Sequence, residues 1–200
     1  MIGRLLFLFL SFCAPVDSCL ESCEASSALV VHYRGGSSAD AVFYLKRRCG
    51  GWKRVVSARA HVGKNGVGKE AEGDKKTPLG TLHAVQAFGV KPCPGGALPY
   101  LELTSSIFAC DEPCEFYNTI IDTSVVHHAC RGEDMSKMVP AYNYGFSTDY
   151  NPECVYPLGS NIFVHCYGRK PWTSGCVALP ERVMRRILRR ATPDLEVIVL

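Results

Sequence analysis

From Leu29 to Val62 the chain alternates short apolar runs with glycine turns, and this pattern limits the fold more than any other feature. Leu29-Val-Val-His-Tyr33 is one run, Gly35-Gly-Ser-Ser38 a turn, and Ala41-Val-Phe-Tyr-Leu45 the next run. Lys46-Arg-Arg48 ends that run in solvent, and Gly50-Gly51 turns the chain back. Trp52 to Val62 then mixes polar and apolar residues, as a half-buried antiparallel strand does. Strands separated by glycine turns at such intervals predict hairpins and a mainly β fold. Thr81 to Phe88, Leu101 to Thr104, Asn161 to His165 and Val177 to Leu179 continue the series. Leu195 to Leu200 reads as a last strand, expected to pair beside Asn161–His165. Glu133 to Val139 is a brief helix candidate. A firmer one opens at Pro180, which a first helical turn tolerates, with Glu181 at its positive end. There Val183, Met184, Ile187 and Leu188 share one face and five arginines, 182, 185, 186, 189 and 190, take the rest.

Two hundred residues at 47% hydrophobic and 20% charged predict one globular domain with a real core. The net charge of +3 does not indicate a nucleic-acid binder, and no nucleic-acid motif is present. Met1 to Ser18 reads as a secretory signal, with Arg4 before the apolar run Leu5 to Phe12 and Pro15 after it. The same stretch also fits an uncleaved anchor, and a lipid on Cys19 is conceivable. The expected organisation is therefore a signal over 1–18, a linker over 19–28 and one domain over 29–200. Export would make the eleven cysteines candidates for disulfides, among them Cys19 or Cys23, Cys49, Cys93, Cys110, Cys114, Cys130 and Cys154. Their pairing cannot be deduced from sequence.

The chemistry concentrates near the C-terminus. Asn161 to His165 delivers an imidazole at a strand end. A loop with Gly168, Pro171 and Trp172 follows, then Gly175 and Cys176, eleven positions after the histidine. A thiol attacks carbonyls as its thiolate, and an imidazole can take its proton and pass it to a leaving amine. Taken alone, the pair equally suits a structural histidine and a buried cysteine. The polar, glycine-rich stretch Gly63 to Gly80 lacks the Gly-Lys-Ser/Thr ending of a phosphate-binding P-loop. His127-His128-Ala-Cys130, with Cys110 and Cys114, has some of the residues of a zinc site, although disulfide and surface roles explain them equally.

In order along the chain stand Gly63-Lys-Asn-Gly-Val67, Glu72-Gly-Asp74, Lys76-Thr-Pro-Leu-Gly80, Tyr117-Asn118, Gly159-Ser160, Ile162-Phe-Val-His165 and Gly175-Cys-Val-Ala-Leu-Pro-Glu181. Together they resemble the L,D-transpeptidase catalytic domain, the YkuD-type fold, from about Val42 to the C-terminus. Much of that family reads Ser-His-Gly-Cys with an arginine two residues after the cysteine. Here the residues are Thr173-Ser174-Gly175-Cys176 and Ala178, which fits a branch with Gly-Cys-Val-Ala-Leu-Pro. The resemblance implies a β-sandwich with few short helices, one of them after the cysteine. It implies Cys176 as nucleophile, His165 as base, and the backbone carbonyl of Cys166 orienting the imidazole. Backbone N–H groups at Ser174 and Gly175 would hold the oxyanion. Thr77, Pro78, Gly80 and Thr173 would contact substrate.

The implied substrates are the peptide stems of peptidoglycan, cross-linked or trimmed through a thioester. No metal or organic cofactor is required for that chemistry, and a monomer is expected. The setting would be the cell envelope or beyond it, where the arginine face could touch an anionic wall polymer. An L,D-carboxypeptidase and a non-catalytic, disulfide-stabilised wall-binding module are the competing readings. Papain-like and NlpC/P60-type peptidases place cysteine before histidine, the reverse of the order here. Consecutive strand residues point to opposite faces, so if His165 faces Cys176 then Cys166 points away and packs as a small apolar residue.

Overall fold

The computed structural model describes residues 18–127 and 132–200. Met1 to Asp17 of the expected signal, and His128 and Cys130 of the histidine–cysteine cluster, lie outside the described residues. Among the described residues no group of three or more His, Cys, Asp or Glu could hold a metal ion.

The hairpin pattern folds as β1 (Ser27–Gly35), β2 (Ser38–Lys46) and β3 (Trp52–His61), paired antiparallel in succession. Next come β4 (Gly80–Gly89) and the short β5 (Tyr100–Glu102), parallel to it. A small separate sheet holds β6 (Ile107–Ala109) between β7 (Ile120–Asp122) and β8 (Glu133–Asp134). The chain returns to the large sheet with β9 (Gly145–Thr148), β10 (Phe163–Cys166) and β11 (Val177–Leu179). Helix α1 (Glu181–Leu188) and β12 (Glu196–Val199) complete it.

The large sheet runs β12-β1-β2-β3-β11-β10-β9-β4, and β12 also pairs with β4, so eight strands close on themselves. The mainly β fold with one helix after the cysteine is thus present, with the sheet closed as a barrel. Closure follows from β12, whose Val197 lies opposite Leu29 on one side and Leu82 on the other. Pairing both edges of the last strand removes the exposed edges of an open sheet. The expected place of this strand was different. It lies between β1 and β4, while β9 and β3 flank the β10–β11 pair. Strand β9 carries no alternation long enough to be read in advance, and it is specified by its antiparallel partners β4 and β10.

Inward residues of all eight strands make the main core, among them Leu29, Phe43, Phe146, Val164, Val177, Leu179 and Val197. Val183, Met184, Ile187 and Leu188 of α1 enter the same cluster, which is why its other face can be arginine throughout. The segment 19–28 is not a free linker. Leu20, Cys23 and Ala25 are buried against the outer residues Ala28, Val30, Tyr44 and Ile198, and Trp52 donates its indole N–H to the Leu20 carbonyl at 3.0 Å. With both faces of β1 covered, the unbroken run Leu29-Val30-Val31 becomes intelligible. A third cluster lies outside the barrel between β4, β10 and the small sheet, and contains Phe88, Phe163, Ile107, Met135 and Tyr142.

Candidate active site

Strands β10 and β11 run parallel with Val164 beside Val177 and His165 beside Ala178. Alternation then sorts their side chains by face. Val164, Cys166, Val177 and Leu179 enter the barrel core, whereas Phe163 and Cys176 join the outer cluster. His165 lies two residues beyond Phe163 on the same strand and shares that outer side. His165 and Cys176 both line one open cavity of roughly 390 Å³, together with Glu133, Tyr142, Trp172 and Ser174.

The histidine is held by its own strand. Its Nδ1 lies 2.7 Å from the carbonyl oxygen of Cys166. A carbonyl only accepts, so Nδ1 carries the proton and Nε2 is the basic nitrogen. The Cys166 thiol points the other way, buried in the core with its sulfur 3.3 Å from the Tyr144 carbonyl. Cys166→Ser, which keeps a small donor there, is expected to retain wild-type turnover within about twofold and to cost about 1 kcal/mol of stability. A steady-state assay and a denaturation curve check it; loss of turnover would place the thiol itself in the chemistry.

The cysteine is held by a tight cradle. Asn161 has a left-handed φ of +52°, which asparagine tolerates, and this starts the strand later than the apolar pattern suggests. Its N–H donates to Asn118 Oδ1 at 2.8 Å and its side chain to the Cys110 carbonyl at 3.1 Å. The Asn161 carbonyl thereby faces the Cys176 thiol at 3.2 Å, and the Phe163 N–H donates to the same sulfur at 3.3 Å. Gly175 has φ +154°, and a Cβ there would come within 3.0 Å of Ile162 Cδ1 and of the Lys76 carbonyl. Only glycine lets the turn pass this close to both.

Residues of the Thr-Pro-Leu-Gly stretch do not line the cavity. Thr77 and Pro78 are buried, and Gly80 starts β4 outside it. The Thr77 hydroxyl accepts from the Gly63 N–H at 2.8 Å and faces the Cys176 carbonyl at 3.3 Å. The Thr173 hydroxyl donates to that same carbonyl at 2.6 Å, although Thr173 does line the cavity. Of the three expected substrate contacts Thr77, Pro78 and Gly80, Thr77 supports the cysteine backbone through that carbonyl. The reason is that residues 63–77 fold under the Cys176 turn, through bridges Gly63–Thr173 and Val67–Thr77. Ser174 is exposed at the cavity, whereas the Gly175 N–H is turned inward onto Thr173 Oγ1 at 3.2 Å.

Burial pushes the Cys176 thiol up to about 12, against the Phe163 N–H, which favours the thiolate. Burial also pushes the His165 imidazole down to about 4, against its hydrogen bond to the Cys166 carbonyl. Near neutral pH both groups are uncharged, so this site holds a thiol and a free base rather than a preformed ion pair.

Three lining residues escaped the sequence reading. The Tyr142 ring stands edge-on to His165 at 5.4 Å between centroids, and its hydroxyl donates to Glu133 Oε2 at 2.6 Å. Glu133 opened a helix candidate that instead forms β8 followed by a single 3-10 turn, Met135–Lys137, and only the fold brings β8 to the site. Trp172 was visible as an aromatic in a glycine- and proline-containing loop, without a role. It carries the ammonium groups of Lys170 at 4.5 Å and Lys64 at 5.3 Å over its ring.

A closed β-barrel with a thiol and an oriented imidazole on one outer face defines the class of domain. The model of the L,D-transpeptidase catalytic domain family, YkuD, matches residues 38–199, and the chain belongs to that family. No curated protein matches the chain.

Proposed function

We propose that this protein is a peptidoglycan L,D-transpeptidase that works through a Cys176 thioester, with His165 as base. Family membership supports peptide stems as substrates. The observation that carries the reading is that parallel register places Cys176 and His165 on one face of β10–β11, opening into one cavity.

In this mechanism the donor stem enters with its scissile carbonyl over Cys176. Nε2 of His165 takes the thiol proton as sulfur attacks, and returns it to the departing D-amino acid. The imidazolium formed in between is steadied by the Cys166 carbonyl at Nδ1. In this proposal N–H groups of the Ser174–Cys176 turn other than that of Gly175 would hold the oxyanion, each such donor being worth roughly 3 kcal/mol. An amine or water then resolves the thioester. The Gly175-Cys-Val-Ala-Leu-Pro180 sequence supports placing the chain, within this proposal, in the branch that lacks the arginine after the cysteine.

Incubation with purified peptidoglycan, followed by mass analysis of the stems, tests this. Loss of the terminal D-residue with new L-centred cross-links, or with trimmed stems, is expected; unchanged stems would overturn it. The pH dependence follows from the burial of His165. The base must be unprotonated, and its value is lowered to about 4. So kcat/KM should hold level from neutrality down to about pH 5 and fall only below that. An acid limb between about pH 6 and 7 would mean that the base is a histidine of ordinary value.

Export through Met1–Ser18 belongs to the same proposal, and N-terminal sequencing of the mature chain decides it. The exposed arginines 182, 185 and 186 on the outer face of α1 cluster with 189 and 190 just past its end, suited to weak, salt-sensitive attraction to an anionic wall polymer.

A further inference from the structure

We propose that Glu133 is a catalytic residue for the second half of the reaction: its carboxylate receives the acceptor as an ammonium and takes one proton from it. This rests on the reading of Cys176 as the acylated nucleophile.

Glu133 is a carboxyl in a site whose first half-reaction gives it no task. It lines the cavity with His165 and Cys176. Its Oε2 accepts from the Tyr142 hydroxyl at 2.6 Å, and the same tyrosine ring packs on His165. Strand β8 is pinned by Glu133 facing Ala109 across the small sheet. Gly132 reinforces this, since a Cβ there would lie 2.7 Å from the Ala109 carbonyl. The carboxyl is therefore placed by the fold and oriented by a buried phenol. Burial raises its pKa, with Asp111 adding to the rise and the Tyr142 hydrogen bond opposing it, which makes it a better proton acceptor than an exposed carboxylate.

The cavity also has two electrostatic sides. Arg169 and Lys170 stand on the loop that carries Trp172, and Glu133 stands on the small sheet. Lys137 also lines the cavity, but its ammonium is engaged by Asp134 at 2.8 Å. A donor stem presents a terminal carboxylate and suits the cationic side. An acceptor presents a primary amine, charged at neutral pH, and suits the carboxylate side. Water needs no such site, so a carboxylate here favours amine over water as acceptor.

The protons balance as follows. The ammonium gives one proton to the Glu133 carboxylate and becomes a neutral amine. Its nitrogen attacks the thioester carbonyl, the C–N bond forms, and the nitrogen's surplus proton goes to His165 Nε2. The C–S bond breaks, the sulfur leaves as thiolate and takes that proton from His165. Glu133 returns its own proton to solvent. The products are one amide, one thiol and one released proton.

The test is Glu133→Gln in the full chain, with a purified donor stem and an amine-bearing acceptor stem. Glutamine is isosteric and its carbonyl can still accept from Tyr142. Acyl-enzyme mass, the ratio of cross-linked to hydrolysed product, and the product formed with hydroxylamine are measured. Hydroxylamine is already uncharged at neutral pH and needs no base to shed a proton first. The expected result is normal acylation, a cross-link to hydrolysis ratio at least tenfold lower, and unchanged capture by hydroxylamine. An unchanged ratio, or equal losses in acylation and in both products, would overturn the proposal. A wild-type protein that forms the thioester but only hydrolyses it would overturn this inference alone. No thioester in the wild type would overturn the transpeptidase reading and this inference with it.

Discussion

Cys176→Ala should lose turnover by at least roughly a thousandfold, because Cys176 is the one thiol among the described residues that line the cavity, and the neighbouring hydroxyls are far weaker nucleophiles. The fold should survive. The thiol accepts one hydrogen bond, from the Phe163 N–H, and faces one carbonyl, that of Asn161. Cys176 is only partly buried and opens to the cavity, so water can replace the sulfur at both groups. The stability cost should stay near 1 kcal/mol. Cys176→Ser keeps a donor and acceptor in place and should be equally inactive, which separates loss of the nucleophile from loss of the cradle. Product analysis by mass spectrometry, with a denaturation curve for each variant, checks both. Retained cross-linking or trimming in Cys176→Ala would remove the thiol from the mechanism.

Asp74→Asn should be the most damaging single change outside the cavity, at about 3–5 kcal/mol. Asp74 collects the N–H groups of Glu70, Ala71 and Lys76 and the ammonium of Lys69 at 2.8 to 3.1 Å. Lys69 keeps only 2% of its side chain exposed, so the variant would leave a buried cation without its counter-ion. An amide also turns one acceptor oxygen into a donor facing other donors. Burial works against ionisation of Asp74, yet the three N–H groups and the ammonium outweigh it and hold the carboxyl well below the usual range. Its folded value is thus depressed. The stability it contributes is present above about pH 4 and is lost as pH falls through the lower folded value. A drop in the denaturant midpoint at neutral pH, shrinking in acid, is expected for the variant. A stability change of less than about 0.5 kcal/mol would show that the loop does not depend on this carboxylate. Activity should fall as well, since the loop seats Thr77 beneath the Cys176 carbonyl.

The legible part of the site is the part written in local pattern. Asn161 to His165 reads as a strand, and consecutive strand residues point to opposite faces, so opposite faces for His165 and Cys166 could be stated before any partner was known. Gly175 could be read as a turn, although not that Ile162 and Lys76 crowd it. The place of the Thr-Pro-Leu-Gly stretch was not legible, for a physical reason. Thr77 stands next to the cysteine through a contact with its backbone carbonyl, which only the folded chain brings about. The segment 19–28 misled because polar and small residues hide three buried anchors, Leu20, Cys23 and Ala25.

By itself the sequence determined the hairpin strands β1 to β3, the strands β4, β5, β10 and β12, the single substantial helix, and the presence of a thiol and an imidazole near strand ends, because these depend on period and turn chemistry within a few residues. Only the tertiary structure decided that β12 closes the barrel between β1 and β4, that parallel register turns Cys176 and His165 outward together, and that β8 carries Glu133 to them. Those outcomes depend on pairing between segments tens of residues apart, where each strand's pattern fits more than one neighbour and only packing of the whole core selects among them.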